Sequence, residues 1–193
     1  MQIMKALRAV LIMTFVCGIV YPLAMTGISQ IIFPYTANGS IIEKNGQAVG
    51  SELIGQEFKS DKYFSGRPSA NGYDAANSGG TNYGAINAKL KEQVEKGAAD
   101  VRKAYALSAN DAVPTVMVTN SASGIDPHMT SEAIKMQAKR VAAARNMDVD
   151  SVMKLIDANT EAPVLGFMGD SRVNVLNLNL ALDAVQGLSL IHI

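Results

Sequence analysis

The chain has 193 residues, and its 17 Lys and Arg balance 17 Asp and Glu to a formal net charge of 0. The cations are scattered and form no basic stripe, which argues against nucleic acid as a partner. One cysteine, Cys17, and two histidines, His128 and His192, exclude an internal disulfide, a Cys-based zinc site and a His-rich metal site.

Residues 9–42 carry no charge, and Lys5 and Arg8 stand just ahead of them. The run from Ala9 to Phe33 is 25 residues long. As a helix it reaches roughly 37 Å, enough to cross a bilayer core of about 30 Å with some tilt. The positive charges at Lys5 and Arg8 predict a cytoplasmic N-terminus, residues 1–8, a transmembrane helix, residues 9–33, and an extracytoplasmic domain, residues 34–187. A cleaved signal peptide is the competing reading. Its apolar region is about 7–15 residues and ends in a small-residue site, whereas this run is longer and has no such end. Pro22 falls mid-span, and Gly18 and Gly27 are small enough for close helix packing. These three residues fit either a packed partner helix or a single lipid-exposed helix.

About 155 residues remain, enough for one domain with its own core. Ser40–Leu53 reads as a hairpin around Asn45-Gly46, a pair suited to a type I′ turn. Residues 59–87 show no sustained period, and their aromatics and Arg67 predict an ordered, irregular surface segment. Leu90, Val94, Ala98, Val101 and Tyr105 make one apolar stripe of a helix capped by Asn87. Val113–Thr119 reads as a strand. Thr130 caps a helix that runs to about Asn146, and Asp148 caps another whose buried face is Val149, Val152, Met153 and Ile156. A last strand pair is predicted at Val164–Phe167 and Val173–Leu182. There the apolar positions change from odd to even at 175–176, as at a β-bulge. The fold class is α+β: one N-terminal transmembrane helix followed by one mixed α/β extracytoplasmic domain with a small sheet.

Three places invite chemistry. Ser121, Ser123, Asp126 and His128 are the types of a hydrolase triad, but triad members usually come from separate elements, and serines and Asp-Pro are also ordinary loop formers. Ser78-Gly79-Gly80-Thr81 could cradle a phosphate, yet it lacks the Gly-Lys-Ser/Thr ending of a P-loop and reads equally as a turn. Gln137, Arg140 and Arg145 share a helix on which the two arginines could bind an anion or a partner carboxylate, or simply face water. From the residues alone, binding or assembly fits better than catalysis. A membrane-anchored extracytoplasmic hydrolase using Ser121 or Ser123 stands as the alternative, and a solitary structural anchor as a third reading.

A set of ordered motifs goes further. Tyr21-Pro22 lies in the span and Ala37-Asn38-Gly39-Ser40 follows it. Gly50-Ser51-x-Leu53-Ile54-Gly55-Gln56-x-Phe58, Tyr63-Phe64-x-Gly66-Arg67-Pro68-Ser69-Ala70 and Ser78-Gly79-Gly80 come next. Val118-Thr119-x-Ser121-Ala122-Ser123-Gly124-Ile125-Asp126, Gln137-x-x-Arg140-Val141-Ala142-x-Ala144-Arg145, Val173-Asn174-Val175 and Leu178-Asn179-Leu180-Ala181-Leu182-Asp183 complete the series. In this order the chain resembles the C subunit of the Kdp-type potassium-transporting P-type ATPase of bacteria, from the span to about Asp183. The resemblance implies a non-catalytic subunit of an inner-membrane pump, single-pass, with its domain outside. Its implied partners are a channel-like potassium-conducting subunit, an ATP-hydrolysing subunit and a small single-helix subunit, all within membrane lipid. It implies a role in assembly and stabilisation, and one as a chaperone that raises the nucleotide affinity of the ATPase subunit. ATP is implied by the family alone, and Ser78-Gly79-Gly80-Thr81 lacks the glutamine of an ABC-type Ser-Gly-Gly-Gln signature.

On this reading the domain caps the outer entrance of the conducting subunit. Arg67 is then a docking residue, with Tyr63 and Phe64 as interface anchors. Ser78, Gly79, Gly80, Ser123, Asp126, Gln137, Arg140 and Arg145 complete the candidate partner-binding set, and no residue is assigned a catalytic or metal role. The last six residues, Leu188–Ile193, fit no family pattern and read as translated sequencing-adapter sequence, which removes His192 from any functional account.

Overall fold

The computed structural model describes residues 2–186; residue 1 and residues 187–193, His192 among them, lie outside the described residues. It divides into two compact units, residues 1–41 and residues 42–193.

The first unit is one continuous helix, Gln2–Ile32, long and apolar enough to cross a membrane. It is built from α1 (Gln2–Phe15), a π-helical turn at Val16–Val20 and α2 (Tyr21–Ile32). Pro22 explains the turn. Proline has no N–H to give and crowds the carbonyl four residues earlier, so the helix widens ahead of it. The Tyr21 N–H reaches back five residues to the Val16 carbonyl, and Thr26 Oγ1 donates to the Pro22 carbonyl at 2.8 Å. A short α3 (Pro34–Ala37) follows, and the Gln30 and Asn38 amides pair reciprocally at 3.1 Å.

The second unit opens with the hairpin β1 (Ile41–Lys44) and β2 (Gln47–Ser51). Asn45 (φ 55) and Gly46 (φ 75) both take the left-handed conformation that a type I′ turn requires. Most of the core lies beyond the irregular segment, which contributes Phe64 to it. There α5 (Ser131–Arg145), α6 (Val149–Ala158) and α7 (Val175–Gln186) pack with a three-stranded antiparallel sheet. Its strands run β3 (His128–Thr130), β5 (Arg172–Asn174), β4 (Thr160–Glu161) in space. Met129 stands opposite Val173, and Thr160 opposite Val173 on the other side. Side chains cap these helices as the residue types predict. Thr130 Oγ1 accepts from Ala133 N–H, Asp148 from Ser151 N–H, and Asn146 ends α5 in the left-handed region.

Three predicted elements differ. Val113–Thr119 is not a strand: Thr115–Met117 forms a 3-10 turn behind Pro114, because no neighbouring strand offers this β-branched run a ladder. Val164–Phe167 contributes only a single bridge, Val164 to Met168. Val173–Leu182 leaves the sheet after Asn174 and becomes α7. The apparent β-bulge at 175–176 is the change of period from two to 3.6. Buried Val175, Leu176, Leu178, Asn179, Leu182 and Asp183 follow a helical spacing, and Asn174 Oδ1 caps the new helix by accepting from Asn177 N–H at 3.1 Å.

The helix α4 (Ala88–Ala104) forms where its stripe predicts, with Asn87 Oδ1 capping Lys89 N–H. Its apolar face is only half-buried. Val149, expected in the buried face of α6, sits exposed at its first turn.

Candidate functional site

The eleven candidate residues gather into two clusters, both on the irregular segment. The first surrounds Lys62–Ser65. This chain runs beneath α5 and α7 without a strand beside it, so side chains must satisfy its backbone. Asn179 Oδ1 accepts from Phe64 N–H at 2.9 Å, and Asn179 Nδ2 donates to the Phe64 carbonyl at 3.0 Å. Gln137 repeats the arrangement on Ser65, accepting at 2.9 Å and donating at 3.1 Å. Arg140 donates to the Tyr63 carbonyl at 2.9 Å, and Arg145 Nε to the Lys62 carbonyl at 2.6 Å. Four side chains thus replace an edge strand.

Beneath this clamp, Arg145 Nη2 meets Asp183 Oδ1 at 2.7 Å, with both side chains sealed from solvent at 1% and 0% exposure. The guanidinium lies 4.7 Å from the Tyr63 ring centroid, and the Tyr63 hydroxyl donates to Asp183 Oδ2 at 3.2 Å. Burial, then the Asp183 charge, push the Tyr63 phenol above its ordinary pKa, while Arg145 opposes. The cluster gives aromatic, amide and guanidinium side chains a structural role at these positions. It also corrects the docking assignment. Phe64, Gln137 and Arg145 are buried in the domain and cannot anchor a partner. Tyr63 is half-buried against Phe58, ring centroids 5.8 Å apart. Arg140 pairs with exposed Asp61 at 3.1 Å and covers Tyr105 at the end of α4, 5.7 Å from its ring centroid.

The second cluster joins segment 66–80 to loop 119–126. Arg67 Nη1 meets Asp126 Oδ2 at 3.2 Å, and Nη2 donates to the Asn120 carbonyl at 3.3 Å. Arg67 therefore ties two loops together within the domain, with about a quarter of its side chain left exposed. Ser121 N–H donates to the Pro68 carbonyl at 3.0 Å, and Gly79 N–H to the Ser123 carbonyl at 2.8 Å. Ser78 Oγ donates to the same carbonyl at 3.0 Å. Glycine is required at two of these places by close approach. A Cβ on Gly80 would stand 2.9 Å from the Ser121 carbonyl oxygen, and one on Gly124 (φ +72) 2.7 Å from that of Gly79. The Ser-Gly-Gly turn is therefore held against loop 121–124 through the Gly79 N–H and the Ser78 hydroxyl, which suits packing between the two loops.

The serines are engaged in the same way. Ser121 Oγ accepts from Gly124 N–H at 2.7 Å, and Ser123 Oγ from Ile125 N–H at 3.2 Å. His128 Nδ1 faces Asp126 Oδ1 at 3.9 Å, and no hydrogen bond joins it to either serine among the described residues. Tyr73 completes the junction by donating its hydroxyl to the Arg67 carbonyl. Burial, reinforced by Glu57 and Asp126 and opposed by Arg67, pushes its phenol up to about 12. No group of three or more His, Cys, Asp or Glu arranged to hold a metal occurs among the described residues.

Sequence reasoning missed Asn179, Asp183 and Tyr73. The first two carried a signal: polar residues at helical spacing from Val175 inside a leucine-rich run. Tyr73 had none, since its partner is a backbone carbonyl.

A family model described as the K+-transporting ATPase c chain, KdpC, matches residues 3–184. A potassium-transporting ATPase KdpC subunit of Bradyrhizobium diazoefficiens is 47% identical over 196 residues, covering 94% of this chain and 96% of the relative. One from Caldanaerobacter subterraneus is 45% identical over 94% of each chain. One from Mycobacterium bovis is 48% identical over 94% of this chain and 97% of the relative.

Proposed function

The chain belongs to the KdpC family, the c chains of the K+-transporting P-type ATPase, and from that premise we propose that it is a non-catalytic subunit that assembles and stabilises the pump. The observation that carries this reading is the reach of the family match. It spans residues 3–184, so the helix and the domain both fall within the family match. The serines support binding over hydrolysis, because each hydroxyl braces its own turn and no hydrogen bond joins either to His128 among the described residues, whereas a nucleophile needs an adjacent base.

In this reading the helix is a permanent single-pass anchor in the bacterial inner membrane. Lys5 and Arg8 hold the N-terminus in the cytoplasm, and residues 34–187 lie outside. The partners are the channel-like, ATP-hydrolysing and small single-helix subunits. Gly18 and Gly27 are small enough for a neighbouring helix to approach closely, and the helix widens just before Pro22. The domain caps the outer entrance of the conducting subunit, with the Ser78–Gly80 turn, Ser123, Asp126 and the exposed edges of Tyr63, Arg67 and Arg140 toward it. Any rise in the ATPase subunit's nucleotide affinity is transmitted through the partners, since nucleotide is on the other side of the membrane.

The test is co-purification from gently solubilised membranes of cells that express all the pump's subunits, with an N-terminal tag and truncation after Gln186. The expected result is recovery of the conducting and ATPase subunits, and loss of that recovery when the span is replaced by polyleucine. Emergence of the chain alone would overturn the reading.

A further inference from the structure

Apart from the membrane helix, one short stretch turns several large apolar side chains to solvent. Val164 is 61% exposed, Leu165 78%, Phe167 77% and Met168 54%. They form a finger between β4 and β5, bounded by Pro163 and Gly169. Val164 N–H donates to the Met168 carbonyl at 3.1 Å, Met168 N–H returns to Val164 at 2.9 Å, and Gly166 N–H donates to Pro163 at 2.9 Å. The finger is therefore shaped before any partner arrives, which lowers the ordering cost of a contact. Four adjacent apolar side chains in water are unfavourable and mark an interaction surface.

Leu165 adds an independent sign. Its φ is 55, a left-handed conformation that glycine or asparagine adopts more readily than leucine. Exposure and backbone strain at one side chain point to a contact made outside the domain.

The shape and charge of the finger select its partner. A convex apolar tip fits a concave apolar pocket. The flanking charges are Glu161, Asp170 and Arg172, one more acid than base, with Arg172 paired to Glu161 at 2.8 Å. With Glu161 neutralised by Arg172, the flanks keep one carboxylate, Asp170, and no spare Lys or Arg of the kind that holds interfacial elements on an anionic bilayer surface. That carboxylate complements a basic group at the edge of a pocket on a protein. We propose that residues 163–169 dock into an apolar pocket with a basic group at its edge on a partner subunit of the potassium-transporting complex, with Phe167 and Leu165 as the anchors. This rests on the subunit reading above.

The test uses the full chain in cells expressing the whole pump. Leu165→Asn with Phe167→Ser removes the apolar tip while Asn accepts the left-handed conformation. The expected result is an unchanged or raised thermal midpoint of the purified chain, with recovery of the partner subunits after a detergent wash reduced about tenfold or more. A photo-crosslinking residue at 167 is expected to capture a partner-subunit peptide beside Lys or Arg. Undiminished recovery of partners by the double variant, crosslinking to lipid alone, or no crosslink in an intact complex overturns the inference. If the unaltered chain recovers no partner subunit, the subunit reading falls first and this inference with it.

Discussion

Residues 62–65 and residues 163–169 are both irregular chain, and each runs against the side of the protein on which it lies. The first carries the fully buried Phe64 and is held almost wholly by polar side chains. The second is exposed and displays almost wholly apolar ones. The difference teaches what irregular backbone needs. Inside, its amides and carbonyls require partners, and Asn179, Gln137, Arg140 and Arg145 supply them. Outside, the backbone of the finger closes on itself, and the side chains are left for something else to cover.

The comparison can be broken most severely at the ion pair below the clamp. Asp183→Ala leaves the Arg145 guanidinium buried without its carboxylate, and the expected loss is about 3–5 kcal/mol by chemical denaturation of the full chain in detergent. A loss below about 1 kcal/mol would mean that the pair is not buried in solution. Asn179→Leu keeps the volume but strips Phe64 of both backbone partners, for an expected loss of about 2–4 kcal/mol in the same assay. At the finger the sign reverses. Leu165→Asn relieves the left-handed leucine and is expected to raise the stability of the free chain by up to about 1 kcal/mol, read as a higher denaturant midpoint. Destabilisation there would show that the finger packs internally.

The smallest effect appears only in alkali. Burial holds the Tyr73 phenol at about 12 against an ordinary 10.0, so the native state favours its protonated form. That contribution is fully present below pH 10 and is lost as pH rises from 10 through 12. Tyr63 is shifted the same way. The denaturant midpoint is therefore expected to fall above pH 10, and to fall less steeply in Tyr73→Phe, with tyrosinate absorbance of the native protein reporting the late titration.

Local rules made a large part of the molecule legible in the sequence. The membrane helix follows from an uncharged run with a basic flank. The hairpin turn follows from Asn45-Gly46, and the helix starts follow from Asn87, Thr130 and Asp148, because a cap or a positive φ is decided within a few residues. The candidate residues fall into two groups in the structure: Tyr63, Phe64, Gln137, Arg140 and Arg145 converge, as do Arg67, Ser78, Gly79, Gly80, Ser123 and Asp126. Their direction was not legible. Whether Phe64 points out to a partner or into a core depends on α7, more than a hundred positions away, and Arg67 is held by Asp126 across an unrelated loop.

Only the tertiary structure decided the remaining elements. Val113–Thr119 has the composition of a strand but no neighbour to pair with, and so it turns. Val173–Leu182 has an alternation that serves a strand and a helix almost equally. The choice falls after Asn174, where the sheet ends and its side chain caps α7. Spacing and capping are properties of a few adjacent residues and can be read from order alone. Strand pairing, burial and ion-pair partners are made between distant residues, and they exist only once the chain has closed on itself.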